Sequence, residues 1–183
     1  MKTTATLIAS GLLITGCATE KPVPKKSAGP ANTTIVAPAT KEQAAALDQI
    51  KSLAGTWEKK GEDGKMEVAT VFAVSSSGSV VREVMLPGAP HEMTNIYHMD
   101  GPTLVMTHYC AMGNQPVLHA TSAKKGEIAF QLDHVLNMTS ADQPYMGQLT
   151  LVIKDKDHLV EHWRGLKNGK ANDEAVFELT RAK

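Results

Sequence analysis

From Trp57 onward, apolar and polar residues alternate in short runs, and turn-forming residues break the runs at roughly ten-residue intervals. Val68, Thr70, Phe72 and Val74 alternate with Glu67, Ala69, Val71 and Ala73; Leu149, Leu151 and Ile153 share one face. Ala175, Phe177, Leu179 and Arg181 likewise oppose Val176, Glu178 and Thr180. The breaks include Gly61-Glu62-Asp63-Gly64, Pro87-Gly88-Ala89-Pro90, Asp100-Gly101, Gly113-Asn114, Lys125-Gly126 and Asn168-Gly169. About nine or ten strands fit between them, which predicts an all-β fold: a single antiparallel up-and-down barrel with no free edges. One helix precedes the strands. Thr40 caps it, Gln43 completes a capping box, Leu47, Ile50 and Leu53 form its apolar face, and Gly55 is the expected stop.

The beginning of the chain has a different pattern. Lys2 is followed by an apolar stretch from Ala5 to Ile14, too short to span a bilayer, and then by Ile14-Thr15-Gly16-Cys17. That tetrapeptide resembles the bacterial lipobox, which implies removal of residues 1–16 as a signal peptide and lipidation of Cys17. Several acyl chains on one cysteine make membrane attachment effectively permanent. Among lipoproteins sorted by the following residue, Ala18 implies the outer membrane, with the protein facing the periplasm. Residues 17–40, rich in Pro, Ala, Thr and Lys and without hydrophobic period, read as the lipidated N-terminus and its tether; residues 41–183 are the barrel domain.

Composition narrows the function classes. The 183 residues carry 19 basic and 19 acidic side chains, and from residue 41 onward 15 Lys and Arg meet 18 Asp and Glu, a net of −3. No basic footprint for nucleic acid is present. Two cysteines build no disulfide scaffold, and lipidation of Cys17 would leave Cys110 as a single thiol in an oxidising compartment.

Gly55-Thr56-Trp57 after a short helix, together with Arg181 on the last strand, resembles the calycin superfamily of lipocalin-like barrels. In those barrels the tryptophan at the closed end packs beneath an arginine of the final strand, so the resemblance implies a Trp57–Arg181 closure. Pro87-Gly88-Ala89-Pro90-His91-Glu92-Met93, Tyr97-His98-Met99-Asp100-Gly101, Thr107-His108-Tyr109-Cys110 and Gly113-Asn114-Gln115-Pro116 are similar to an uncharacterised family of bacterial calycin-like domains. The likeness runs from about Leu53 to Arg181 and implies a fold without an assigned activity. Members of that family often carry a histidine in a Gly-His-Met segment where this chain has Pro144-Tyr145-Met146-Gly147.

Candidate chemistry gathers around Asp100-Gly101. A two-residue turn there predicts a hairpin with His91 opposite Cys110, Met93 opposite His108, Asn95 opposite Met106 and Tyr97 opposite Leu104, all on one face. The leading expectation is a small apolar or amphipathic ligand inside the barrel, lined by His91, Met93, Tyr97, Met106 and His108, with Asn114 and Gln115 at the mouth. His91, His108 and Cys110 also form a ligand set acceptable to a soft or borderline metal, and a histidine could hold haem. Further alternatives are a thiol enzyme with Cys110 activated by His91 and a filled, purely structural envelope module. The cofactor is undetermined by sequence. The partners expected are the membrane, through Cys17, and a small molecule.

Overall fold

A computed structural model describes residues 34–183; residues 1–16, expected to be a signal peptide, Cys17 and most of the expected tether lie outside the described residues. Helix α1 (Lys41–Lys51) is followed by ten strands: β1 (Gly55–Lys60), β2 (Met66–Ser75), β3 (Val80–Met85), β4 (Met93–Asp100), β5 (Thr103–Tyr109), β6 (Gln115–Lys124), β7 (Glu127–Leu136), β8 (Tyr145–Ile153), β9 (His158–Lys167) and β10 (Lys170–Arg181). Each strand pairs antiparallel with its chain neighbour, and β10 returns to β1. The fold is therefore a closed up-and-down barrel, as the alternation predicts.

The helix begins as its sequence dictates. Thr40 Oγ1 accepts from the Gln43 amide and Gln43 Oε1 accepts from the Thr40 amide, so the capping box is complete. The helix stops at Ser52 rather than Gly55, whose φ of +130° instead starts β1. Leu47, Ile50 and Leu53 are buried, and α1 closes one end of the barrel.

At that end Arg181 stands opposite Trp57 in the β1–β10 ladder, with its guanidinium 4.3 Å from the indole ring centroid. Its nitrogens donate to the carbonyls of Ala54 (2.7 Å), Ser52 (3.0 Å) and Lys156 (2.8 Å), while Trp57 Nε1 donates to Leu53 (2.7 Å). One side chain thus satisfies carbonyls just past the helix and lids the core tryptophan. Arg181→Ala is expected to cost about 2 kcal/mol in urea unfolding, with Arg181→Lys recovering part of it. A loss below a few tenths of a kcal/mol would deny the plug a structural role.

The inward face is apolar over most of its area: Phe72, Val81, Met106, Leu118, Ile128, Phe130, Leu149, Leu151 and Leu159 are all at most 2% exposed. On β8 the pairing with β9 slips between Met146 and Gln148, and a Cβ on the intervening Gly147 would run into Leu166. Gly147→Ala is expected to destabilise by about 1–2 kcal/mol, read as a lowered melting temperature, because Leu166 must move to admit the methyl group.

Candidate functional site

The β4–β5 hairpin differs from the expected register by two residues, which preserves its faces. Asp100 pairs with Thr103, so Gly101-Pro102 form the turn, and Asn95 stands opposite His108 and Tyr97 opposite Met106. Asp100 has no positive φ, whereas Gly101 takes φ +55° close to the backbone of Ala37, where a Cβ would not fit. An Asp-Gly turn with positive φ at both positions gives way to one whose positive φ falls on glycine alone. A shift of two residues leaves every inward side chain inward, so His108, Asn95, Tyr97 and Met106 still share the interior face.

His91 does not pair with Cys110: β4 begins only at Met93 and β5 ends at Tyr109. His91 is exposed in the β3–β4 connection, with Lys59, Glu67 and Leu86 around it. Cys110 is half-buried in the β5–β6 turn, with burial pushing its thiol up and the Met112 amide pulling the other way. His91, His108 and Cys110 are therefore not brought together as the expected register required. Among the described residues no group of three or more His, Cys, Asp or Glu is placed to hold a metal ion. A thiol with a raised pKa is a poor nucleophile at neutral pH. Labelling of Cys110 by a disulfide reagent is expected to be slower at pH 7 than that of a free peptide thiol and to accelerate towards pH 9; labelling at the peptide rate or faster would overturn that.

Instead, the interior holds a connected set of polar side chains. Glu83 on β3 accepts from Thr70 Oγ1 (2.8 Å) at Oε1, and from Asn95 Nδ2 (2.7 Å) and Tyr97 OH (2.7 Å) at Oε2. Three donors aimed at one carboxyl group is the arrangement made for a carboxylate. Asn95 has spent its amide nitrogen on Glu83, so its Oδ1 accepts, and His108 Nδ1, 2.7 Å away, is the donor. The proton on His108 therefore sits on Nδ1, leaving Nε2 as a bare acceptor. Burial holds His108 down at about 4, so it is neutral at pH 7. Its ring lies 5.1 Å from that of Trp163, whose Nε1 donates to Glu161 Oε2 (3.0 Å).

Glu161 on β9 completes the set. Burial first, and the charge of Glu83 second, push its carboxyl well above the usual range, while the Trp163 indole pulls weakly the other way. In a dry interior beside Glu83 the protonated form of Glu161 is therefore the favoured one. Burial and the same two carboxyl groups also keep the Tyr97 phenol protonated, consistent with its donating to Glu83. Neither glutamate has a salt-bridge partner among the described residues. His108 Nε2 and Glu161 Oε1 are buried without any hydrogen-bond partner, and each residue is 1% exposed.

At the end away from α1, the β5–β6 and β7–β8 turns are stitched together. Asn114 Nδ2 donates to Pro144 (2.8 Å), Gln143 Nε2 to Met112 (3.0 Å) and Asn137 Nδ2 to Gly113 (2.7 Å). Asn114 is buried with its Oδ1 unpartnered, whereas Gln115 folds back on Gly113 (2.9 Å). Met93 is half-buried against the core.

Of the residues singled out in the sequence, Tyr97, Met106 and His108 thus line the interior, Met93 lies at the strand end, Asn114 is tied into a turn, Gln115 opens β6 and His91 lies on a loop. Glu83, Glu161 and Trp163 were not singled out. Their signal is a glutamate flanked two residues either side by large apolar side chains, Val81-x-Glu83-x-Met85 and Leu159-x-Glu161-x-Trp163, which places a charge on the core face.

No family model matches the chain, and no curated protein matches it.

Proposed function

We propose that the protein is a lipid-anchored envelope protein whose barrel, of the calycin-like kind, binds a small amphipathic molecule in its interior. The observation that carries this reading is the pair of buried polar atoms without a hydrogen-bond partner, His108 Nε2 and Glu161 Oε1, inside a closed barrel. Each unmet buried polar group costs on the order of 1–3 kcal/mol, and a barrel serving only as a filled module would be better served by leucine at both positions. A bound molecule offering hydrogen bonds to these atoms and apolar surface to Met106, Leu118 and Phe130 answers both needs. The Trp57–Arg181 plug supports the calycin-like reading, because it closes the end opposite the stitched turns.

The anchor rests on the lipobox-like Ile14-Thr15-Gly16-Cys17, and the outer membrane on Ala18. Cys17→Ser is expected to abolish incorporation of labelled palmitate and to release the protein from the membrane fraction. Continued lipidation of that variant would overturn the anchor.

The ligand is tested by native mass spectrometry of the chain purified from its own envelope. A small organic molecule at close to one per chain, lost on His108→Ala, is the expected result. A mass equal to that of the polypeptide and its lipid, unchanged after exposure to an extract of envelope metabolites, would overturn it.

A further inference from the structure

Strand β10 is paired unequally on its two sides. With β9 it forms ten residue pairs between Lys170 and Thr180, but with β1 only two, at Thr180 and Arg181. On the β1 side the backbone of residues 170–179 therefore runs without a strand beside it. Its first half is guarded, because the register slips between Ala171 and Asp173 and because Asp173 and Glu174 place charges there. Residues 175–179 have no such bulge, and 176–179 border a groove of about 560 Å³ whose other side carries Lys60 and Met66. Val176 and Met66 are 56% and 51% exposed, apolar surface that the barrel leaves uncovered.

An unpaired strand edge offers N–H and C=O groups at a repeat of roughly 7 Å, which another extended backbone matches. The charges in the groove then choose among extended chains. Its ionisable side chains are Lys59, Lys60, Lys154 and His158 against Glu178. Glu67 holds Lys59 at 3.3 Å and Asp155 holds His158 at 2.9 Å. Lys60, Lys154 and Glu178 have no ion-pair partner among the described residues, so two free cations face one free anion. The chain's own tether fits poorly, since Lys21, Lys25 and Lys26 outnumber Glu20 and its prolines cannot donate to an edge. A second copy would bring its own β10, setting Asp173, Glu174 and Glu178 against the same acids across the pair. We infer that the groove between β1 and β10 takes an extended acidic segment of a partner protein, laid along residues 175–179 as an added strand. Its apolar side chains lie against Val176 and Met66, and its carboxylates reach Lys60 and Lys154. This surface is independent of the interior ligand and stands or falls separately.

The full chain, held in mild detergent, is titrated into a fluorescein-labelled peptide of alternating valine and threonine flanked by glutamates, with binding read by anisotropy. Two controls separate charge from backbone: the same peptide flanked by lysines, and the acidic peptide N-methylated at one or the other set of alternate residues. The acidic peptide is expected to bind at least tenfold more tightly than the lysine peptide. At least one N-methylation pattern, the one whose methyl groups face β10, should weaken it tenfold or more. Lys60→Glu combined with Lys154→Glu, both on exposed side chains, should bring the acidic and lysine peptides to similar affinity. Equal binding of the two peptides by the parent, full affinity of both N-methylated forms, or an acidic preference that survives the double charge reversal would overturn the inference. So would failure to bind at millimolar concentration. A concentration-dependent dimer in sedimentation that Val176→Asp dissolves would also overturn it, by assigning the edge to a second copy.

Discussion

Glu83→Ala is expected to lower unfolding stability by about 3–5 kcal/mol, the largest effect of any single substitution considered. The carboxyl group accepts from Thr70, Asn95 and Tyr97, and its residue is fully buried. Thr70 keeps a second bond, to the Val84 carbonyl at 3.0 Å, but the Tyr97 hydroxyl and the Asn95 amide lose their oxygen acceptor in a dry interior. Release of Glu161 from its neighbour's charge offsets part of the loss, so the same variant should also titrate Glu161 at a lower pH by carboxyl carbon NMR. Glu83→Gln keeps the shape and one acceptor oxygen and should cost clearly less. A Glu83→Ala protein within 1 kcal/mol of the parent in urea unfolding would show that the cluster carries little of the fold.

The second large effect is a pH dependence with two opposed parts. His108 titrates at about 4 in the folded protein against 6.5 as a free side chain, so between those values the unfolded chain binds more protons. Its contribution therefore falls as pH drops from 6.5 to 4, by about 3 kcal/mol over the full window. Glu161 acts with the opposite sign. Its folded pKa lies above 4.5, so its contribution is fully present below 4.5 and is lost as pH rises towards the folded value. Between 4.5 and 6.5 the two slopes oppose each other. Urea unfolding across pH 4–8 should thus give a shallow curve for the parent. Glu161→Gln should unmask a rise of about 3 kcal/mol from pH 4 to 6.5, and His108→Asn a steady decline from pH 4.5 upward. Parallel curves for all three would remove both residues from the proton balance. Lowered carboxylates such as Asp63 and Asp155 are fully exposed and common to every variant, so they cancel in the comparison.

The barrel was legible because its rule is local. Alternation in β8 and β10, the capping box at Thr40 and the turn residues each report one element, and a closed sheet follows from counting elements that need partners. The Trp57–Arg181 contact was legible for another reason: it joins the first and last strands, which any up-and-down closure makes neighbours. The site was less legible because it depends on register. Moving the turn from Asp100-Gly101 to Gly101-Pro102 replaced Met93 by Asn95 opposite His108, and with it a sulfur–imidazole pair by a hydrogen bond that fixes a tautomer. Glu83 and Glu161 lie on strands far apart in sequence, and only closure of the sheet brings their charges into one space. His91 illustrates the opposite error. Its parity matched the interior face, but the strand starts two residues later and leaves it on the loop.

The seam between β1 and β10 rests on two residue pairs, Trp57 with Arg181 and Glu58 with Thr180, beside the ten that join β9 to β10. Beyond those pairs the outer wall parts into a groove of about 560 Å³ between Lys60 and Met66 on one side and Val176 on the other. In folding terms this short zipper is the step of longest sequence separation, and the nine hairpin-like pairings can all form before it. Until Arg181 arrives, β1 is an open edge in a chain that has already made most of its hydrogen bonds. A nascent or nicked chain without Arg181 would therefore present a templating edge rather than a loosened barrel, and its hazard would be strand exchange between copies. The same arginine that covers the tryptophan thus serves as the latch of assembly.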